Sequence, residues 1–162
     1  MNIRGLGDAL KTHCLREILQ SGDPIIFLAQ ETLCSRDKAI KLFLCIKPGW
    51  KAAAVDAVGH SGGLIAVWNP VMASFMAYKF IGGIMLAGHI RGYKETVYII
   101  NLYAPYRNRL SFWNLMADSG LLALHNLILM GVFNSTLRPD EVWGPNARFD
   151  PLSSYWSQGS SS

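Results

Sequence analysis

The chain has 162 residues, 51% of them hydrophobic and 16% charged, which is the length of one domain with enough apolar side chains to build a core. Its net charge of +4 mildly favours an anionic partner such as nucleic acid, although so small an excess is equally that of an ordinary globular protein. The longest apolar stretches, around 81–87 and 121–133, are interrupted by glycines, His125 or Asn126, and neither is long enough to span a bilayer.

Met1–Arg4 reads as the tail of a strand and Gly5-Leu6-Gly7 as a turn. Leu10, Cys14, Leu15, Ile18 and Leu19 recur at helical spacing and predict a helix over Asp8–Gln20, closed by Ser21-Gly22-Asp23-Pro24. Ile25–Gln30 is a short continuous apolar run, hence a buried strand, and it delivers Gln30-Glu31-Thr32 to its end. Ser35-Arg36-Asp37-Lys38 starts a second helix that runs to about Cys45 and stops before Pro48-Gly49. The middle then changes character. Lys51–Val58, Leu64–Trp68, Ser74–Phe80, Ile84–Arg91 and Thr96–Tyr103 are β-prone segments separated by Gly, Pro and Asn, the spacing of antiparallel hairpins. Arg109–Asp118 carries Leu110, Trp113, Leu115 and Met116 and predicts a third helix; Leu127–Met130 predicts a buried strand ending at Gly131-Val132-Phe133-Asn134. A turn-rich stretch follows, and residues 157–162 form a low-complexity tail expected to be disordered beyond a domain of residues 1–156. Helix-covered sheet plus meander makes an α+β layered domain; too many consecutive strands lack an intervening helix for a doubly wound sheet.

Three cysteines, Cys14, Cys34 and Cys45, are odd in number and irregular in spacing. They argue against a disulfide framework or a disulfide-linked partner and for a reducing compartment. No CxxC or HxxxH spacing suggests zinc. The first residues lack the apolar core of a signal peptide, so the expected location is intracellular, nucleus or cytoplasm, without a membrane. Asn134-Ser135-Thr136 matches a glycosylation sequon, a chance match without a secretory signal.

Gly59-His60-Ser61-Gly62-Gly63 matches G-x-S-x-G, the turn that lifts a nucleophilic serine out of the backbone in serine hydrolases. That motif needs a following helix, whereas Leu64–Trp68 is β-prone and Pro70 forbids a long one; Asp118 and His125 would have to complete the triad. A glycine hairpin is the simpler account. Glu31 carries more weight. A carboxylate at a strand's C-terminal end can hold a hard cation such as magnesium, which prefers one or two carboxylates with waters and substrate phosphates. A lone acid there is more often a solvated turn residue, and Asn2, Asn101 and Asn134 singly are ordinary turn residues too.

As an ordered set they say more. Asn2-Ile3-Arg4-Gly5-Leu6, Gln30-Glu31-Thr32, Ser61-Gly62-Gly63, Asn101-Leu102-Tyr103-Ala104-Pro105 and Gly131-Val132-Phe133-Asn134 resemble the motif series of the endonuclease/exonuclease/phosphatase superfamily, the deoxyribonuclease-I-like fold. The nearest resemblance is to the endonuclease domain of plant non-LTR (LINE-type) retrotransposons. It implies a four-layer α/β/β/α sandwich, of which this chain would hold the N-terminal two-thirds. It also implies magnesium-dependent phosphodiester hydrolysis of DNA. Glu31 would be the magnesium ligand, Asn2 would help position metal or phosphate, and Tyr103 would sit beside the scissile phosphate. Asn134 would bind phosphate or orient water, and Asn101, Arg107 and Arg109 would contact the nucleic acid. The Gly62-Gly63 pair would let the sheet edge turn tightly.

Three departures bear on activity. The family's G-D-F-N is Gly131-Val132-Phe133-Asn134 here, and a valine cannot accept a proton; losing such a group costs roughly 10²–10⁴-fold in rate. The family's later Ser-Asp-His segment is missing, and none of His13, His60, His89 or His125 stands in that context. Met1 stands where the family has tryptophan, inside the first strand. The expected product is an impaired or inactive nuclease domain; the alternatives are a residual nucleic-acid-binding module, using Arg4, Arg107, Arg109, Arg138 and Arg148, or a non-functional fragment. With the C-terminal third absent, the inner face of the first sheet is expected to lack much of its cover, which would leave the protein marginally stable.

Overall fold

A computed structural model describes residues 1–58, 61–136, 141, 150, 152 and 153. Among these are three α-helices, α1 (Ala9–Ser21), α2 (Arg36–Ile46) and α3 (Arg109–Asp118), and seven strands. The strands are β1 (Ile26–Gln30), β2 (Lys51–Val58), β3 (Ser61–Trp68), β4 (Ala73–Phe80), β5 (Gly83–Ile90), β6 (Val97–Tyr103) and β7 (Leu127–Val132). The tail at 157–162 and most of the predicted turn-rich stretch, with Arg138 and Arg148, lie outside the described residues.

The helices begin where their caps dictate. The Asp8 carboxylate accepts from Leu10 N at the start of α1, and the Ser35 hydroxyl accepts from Lys38 N at the start of α2; each side chain satisfies one of the N–H groups a first turn leaves without a partner. Leu15 and Leu19 in α1, and Ala39, Phe43 and Ile46 in α2, recur at helical spacing and form the buried stripes. In α3 the buried set is Phe112, Trp113 and Met116.

Two sheets result. In the first, of order β1-β3-β2, all pairs are antiparallel, and Asn2 adds a parallel bridge to Gln30 at the β1 edge. The second has the order β4-β5-β6-β7, antiparallel except for β6 and β7. That parallel pair requires a crossover, and α3 with a short 3₁₀ turn at Leu121–Ala123 supplies it. Three apolar clusters fill the spaces between four layers. Leu15, Leu19 and Phe43 pack on Phe27, Ile65 and Val67 outside the first sheet. Leu28, Leu64 and Trp68 meet Phe75, Ile84, Leu86 and Ile99 between the sheets. Ile100 and Leu102 meet Phe112, Trp113 and Met116 under α3. The architecture is an α/β/β/α sandwich of the α+β class.

Two expectations need correction. The inner face of the first sheet is covered, because β4, β5 and β6 of the β-rich middle belong to the second sheet, which packs on it. The thinly covered surface lies elsewhere: Ile128 and Met130, in register with Ile99 and Asn101 on the inner face of β7, are 46% and 48% exposed. The apolar run Leu127–Met130 suggests burial on both faces, but β7 is the sheet edge and only its α3 side, with Leu127 and Leu129, is packed.

This layering predicts an asymmetry under urea denaturation. Phe43→Ala, which empties the space between α2 and the first sheet, lowers stability by about 3–5 kcal/mol. Met130→Ser, on the uncovered face, changes it by no more than about 0.5 kcal/mol.

Candidate active site

β1, β6 and β7 end at one end of the sandwich, and β3, antiparallel to β1, begins there with Leu64 opposite Gln30. Beneath this end lies a polar bridge between the sheets. Gln30 Nε2 donates to Asn101 Oδ1 at 2.5 Å, and Asn101 Nδ2 donates to the carbonyls of Ala29 at 3.1 Å and Ile65 at 2.9 Å. Asn101 is fully buried, and its one amide group spends both donor hydrogens and an acceptor inside the protein. The Asn101 side chain, predicted to contact nucleic acid, is thus engaged within the protein in this structure. Its place in β6, on the face it shares with Ile99 and Tyr103, aims the side chain at the facing sheet.

The next residue on β1 is Glu31, held with φ +55°, and Leu33 has φ +51°. Left-handed backbone at such residues costs about 1–3 kcal/mol each and persists only where the surroundings over-determine it. The surroundings here are main-chain hydrogen bonds from both sides. Gly5 N donates to Glu31 O at 2.7 Å and Leu6 N to Thr32 O at 3.0 Å; on the other side Thr32 N donates to Gly63 O and Leu33 N to Gly62 O. Gly63 has φ +81°, and a Cβ there would collide with Thr32 Oγ1. The Gly62-Gly63 pair thus lets β3 approach the Glu31 turn.

Across the sandwich, Tyr103 Oη donates to Glu31 Oε1 at 3.3 Å, joining residues 72 apart in sequence. Burial, then the Glu31 charge and that hydrogen bond, raise the Tyr103 phenol above its ordinary value. It is a neutral donor at neutral pH. Asn2 stands in register beside Gln30, with its Oδ1 accepting from Arg4 N at 3.2 Å. Val132 is the register partner of Tyr103, so the position that the motif resemblance gives to an acid carries an isopropyl group. Asn134, with φ +48°, donates from Nδ2 to Ala104 O at 2.6 Å, which leaves its second amide hydrogen for another acceptor.

The two loop arginines part company. Arg107 is exposed, and no ion pair involves it among the described residues. Arg109 turns inward: Nη1 donates to Asn134 O at 2.6 Å and to Asp150 Oδ2 at 2.7 Å, and the two side chains are 27% and 9% exposed. Its predicted contact with nucleic acid gives way to an anchoring one. Asp150 also accepts from Thr136 N and Leu152 N. Burial pushes its carboxyl pKa up, but the N–H groups of Leu152 and Thr136 and the Arg109 guanidinium outweigh that and leave it below the ordinary value. Asp150 and Gln30 are site-supporting residues that sequence reasoning missed. Gln30 was visible as the one polar residue closing a buried run; Asp150, distant in sequence, carried no such signal.

The serine-hydrolase reading fails on geometry. Ser61 opens strand β3 in a hairpin with β2, not a helix. His125 precedes β7, at the end of the sheet where Tyr98 pairs with Leu127, about 20 Å of strand from the Glu31 end. Among the described residues, no group of three or more His, Cys, Asp or Glu could hold a metal ion, and no helix is long and apolar enough to cross a membrane.

The architecture is that of the deoxyribonuclease-I-like endonuclease/exonuclease/phosphatase fold, as solved structures confirm. An AP endonuclease from Archaeoglobus fulgidus superposes with a TM-score of 0.69 at 16% identity, covering 97% of this chain and 66% of its own. The endonuclease domain of TRAS1, a telomere-specific non-LTR retrotransposon, gives 0.65 at 12% identity, covering 98% and 67%. The human Nocturnin catalytic domain gives 0.62 at 15% identity, covering 100% and 68%. The chain thus spans about two-thirds of the length of these proteins. No protein-family model matches the sequence, and no curated protein does.

The Arg109–Asp150 pair yields a pH prediction. A carboxyl held below its unfolded value of 3.8 contributes stability that is complete above that value and is lost as pH falls through the lower folded value. Asp150→Asn lowers stability by about 1.5–3 kcal/mol at pH 7, the usual worth of hydrogen bonds to a charged group. Urea midpoints for the variant and the unmodified chain converge between pH 4 and pH 2.

Proposed function

We propose that this chain is a nucleic-acid phosphodiesterase domain of the non-LTR retrotransposon endonuclease type, with DNA as its substrate class and its hydrolytic step impaired. The observation that carries the reading is the Glu31–Tyr103 contact: an acid and a neutral phenol brought together from two sheets at the end of this fold. The motif series that resembles plant LINE-type endonucleases places the same two residues in the site.

The donors fit a hard cation of modest demand. Magnesium takes one or two carboxylates and completes its shell with waters and substrate phosphate. Glu31 offers one half-buried carboxylate, with Oε1 engaged by Tyr103 and Oε2 without a partner among the described residues. A magnesium ion on Glu31 would supply charge stabilisation to a phosphate oxygen. Around it, Tyr103 stays protonated and offers its hydroxyl to the carboxylate or to a phosphate oxygen. The remaining Asn134 amide hydrogen and the Asn2 side chain stand as neutral positioning groups on either side. What this set lacks is a proton acceptor for water, since Val132 fills the place of the motif aspartate. Binding and orientation are retained, and the group that would activate the nucleophile is not.

A second reading, a module that binds nucleic acid without cutting it, draws on the exposed side chains of Arg4 and Arg107 and on the net charge of +4. Plasmid nicking with magnesium separates the two. The unmodified chain is expected to nick no faster than buffer; Val132→Asp that alone restored nicking, with Glu31→Ala abolishing the gain, would make the point substitution sufficient for the impairment. Nicking by the unmodified chain that Glu31→Ala removes would overturn the impairment. A flat response to Val132→Asp leaves the impairment with more than that one position, and salt-dependent binding of a labelled duplex then tests the binding module.

A further inference from the structure

The helical layer outside the first sheet carries a cationic cleft that the hydrolytic reading leaves unused. It lies between α1 and α2, has a volume of about 290 Å³, and is lined by Thr12 and Arg16 of α1 and by Lys38, Lys41, Cys45 and Ile46 of α2. Arg16, Lys38 and Lys41 are exposed, and no ion pair involves them among the described residues. Other cations are matched: Arg36 lies 3.9 Å from Asp56, Lys47 lies 3.4 Å from Asp23 and Arg109 lies 2.7 Å from Asp150. The carboxylates of Asp8 and Asp37 are spent elsewhere, at the cap of α1 and 3.7 Å from Arg36. Glu17 follows Arg16 directly and so does not share its helix face. Lys38 and Lys41, three apart on α2, repel each other, and Arg16 brings a third like charge to the same cleft.

Both helices lead away from the Glu31 end of the sandwich. Gly5 and Leu6, just before α1, donate to the carbonyls of Glu31 and Thr32, and α2 begins at Arg36, soon after Glu31. Lys38 therefore stands in the first turn of α2, and Thr12 follows the first turn of α1. From Lys38 to Cys45 the cleft extends about 10 Å along the helix axis. That length matches about three base steps of a duplex, in which each strand presents a phosphate about every 3.4 Å along the axis. No aromatic side chain lines the cleft among the described residues, so it offers no platform to an unstacked base. Cations without stacking groups suit the flank of a closed duplex, which presents phosphate and sugar and keeps its base faces stacked.

We infer that the α1–α2 cleft is a second contact surface for duplex DNA, with Arg16, Lys38 and Lys41 taking backbone phosphates that flank the one at the Glu31–Tyr103 site. The inference rests on the proposed nucleic-acid function and adds where the duplex continues beyond the site. Fluorescence anisotropy tests it with the full chain, without divalent metal, using a labelled duplex of about 20 base pairs in salt from about 50 to 200 mM. Arg16→Ala, Lys38→Ala and Lys41→Ala combined are expected to weaken binding by about tenfold or more. They are also expected to lessen the slope of log affinity against log salt by about 2–3. Lys51→Ala, Arg91→Ala and Lys94→Ala combined remove the same charge from exposed positions at the opposite end of the sandwich, where β2 begins and β5 turns into β6. That set is expected to change affinity by no more than about twofold, since charges beyond a Debye length are screened. Lys38→Arg with Lys41→Arg retains both affinity and slope. All these side chains are solvent-exposed, so the variants keep the fold, which near-ultraviolet circular dichroism verifies. Equal losses for the two alanine sets, or an unchanged affinity in the cleft set, overturn the cleft inference and leave the phosphodiesterase reading standing. Absence of duplex binding by the unmodified chain at about 50 mM salt overturns both.

Discussion

The end of the sandwich is organised by one buried polar bridge. Gln30 and Asn101 join β1 to β6, and the Asn101 amide also reaches the β3 backbone. Apolar contacts between sheets are non-directional and tolerate sliding. A satisfied amide pair in a low-dielectric space does not, because each donor left without its acceptor costs about 1–3 kcal/mol. The bridge therefore sets the register of the two sheets as well as their separation. Glu31 follows Gln30 and Tyr103 lies two residues past Asn101, so a pair of side chains from different sheets meets at hydrogen-bonding distance. The N-terminal strand and the Gly62-Gly63 turn then hold Glu31 in a backbone conformation that it would not adopt alone.

The layers were largely legible in the sequence and the roles less so. The helical stripes of α1 and α2, the hairpin series from Lys51 to Tyr103 and the β1 run announced themselves through periodicity and turn residues, which are local signals. The failures were non-local. Asn101 looked like a strand-end donor for a ligand, but which face of β6 it occupies depends on a register that only the second sheet settles. Arg109 looked like a loop cation, but Asp150, 41 residues away, turns it inward. The run Leu127–Met130 looked doubly buried because its composition is uniformly apolar, and composition does not say that a strand is at an edge. The residues of the ordered motifs, Glu31, Tyr103, Asn134 and Asn2, lie toward one end of the fold, a placement that no one of them signalled alone.

Chemically, the site is unevenly furnished. It has a carboxylate for a cation, a phenol that burial and a neighbouring charge keep protonated, and amides that can meet phosphate oxygens. At the register position opposite Tyr103 it has Val132. Affinity and turnover draw on different members of such a site, and the proposed impairment concerns the second set.

The most direct test asks whether the buried bridge builds the site that Glu31 uses. Calorimetric titration with Mn²⁺, in the presence of a non-cleavable phosphorothioate dinucleotide, measures cation affinity without any reliance on catalysis. Glu31→Gln should abolish saturable binding. Asn101→Leu, which touches neither ion nor phosphate, should weaken it by about 10–100-fold, as loss of a supporting residue does. Unchanged affinity in a folded Asn101→Leu variant would contradict the account, because the pairing of Glu31 with Tyr103 would then owe nothing to the bridge beneath it.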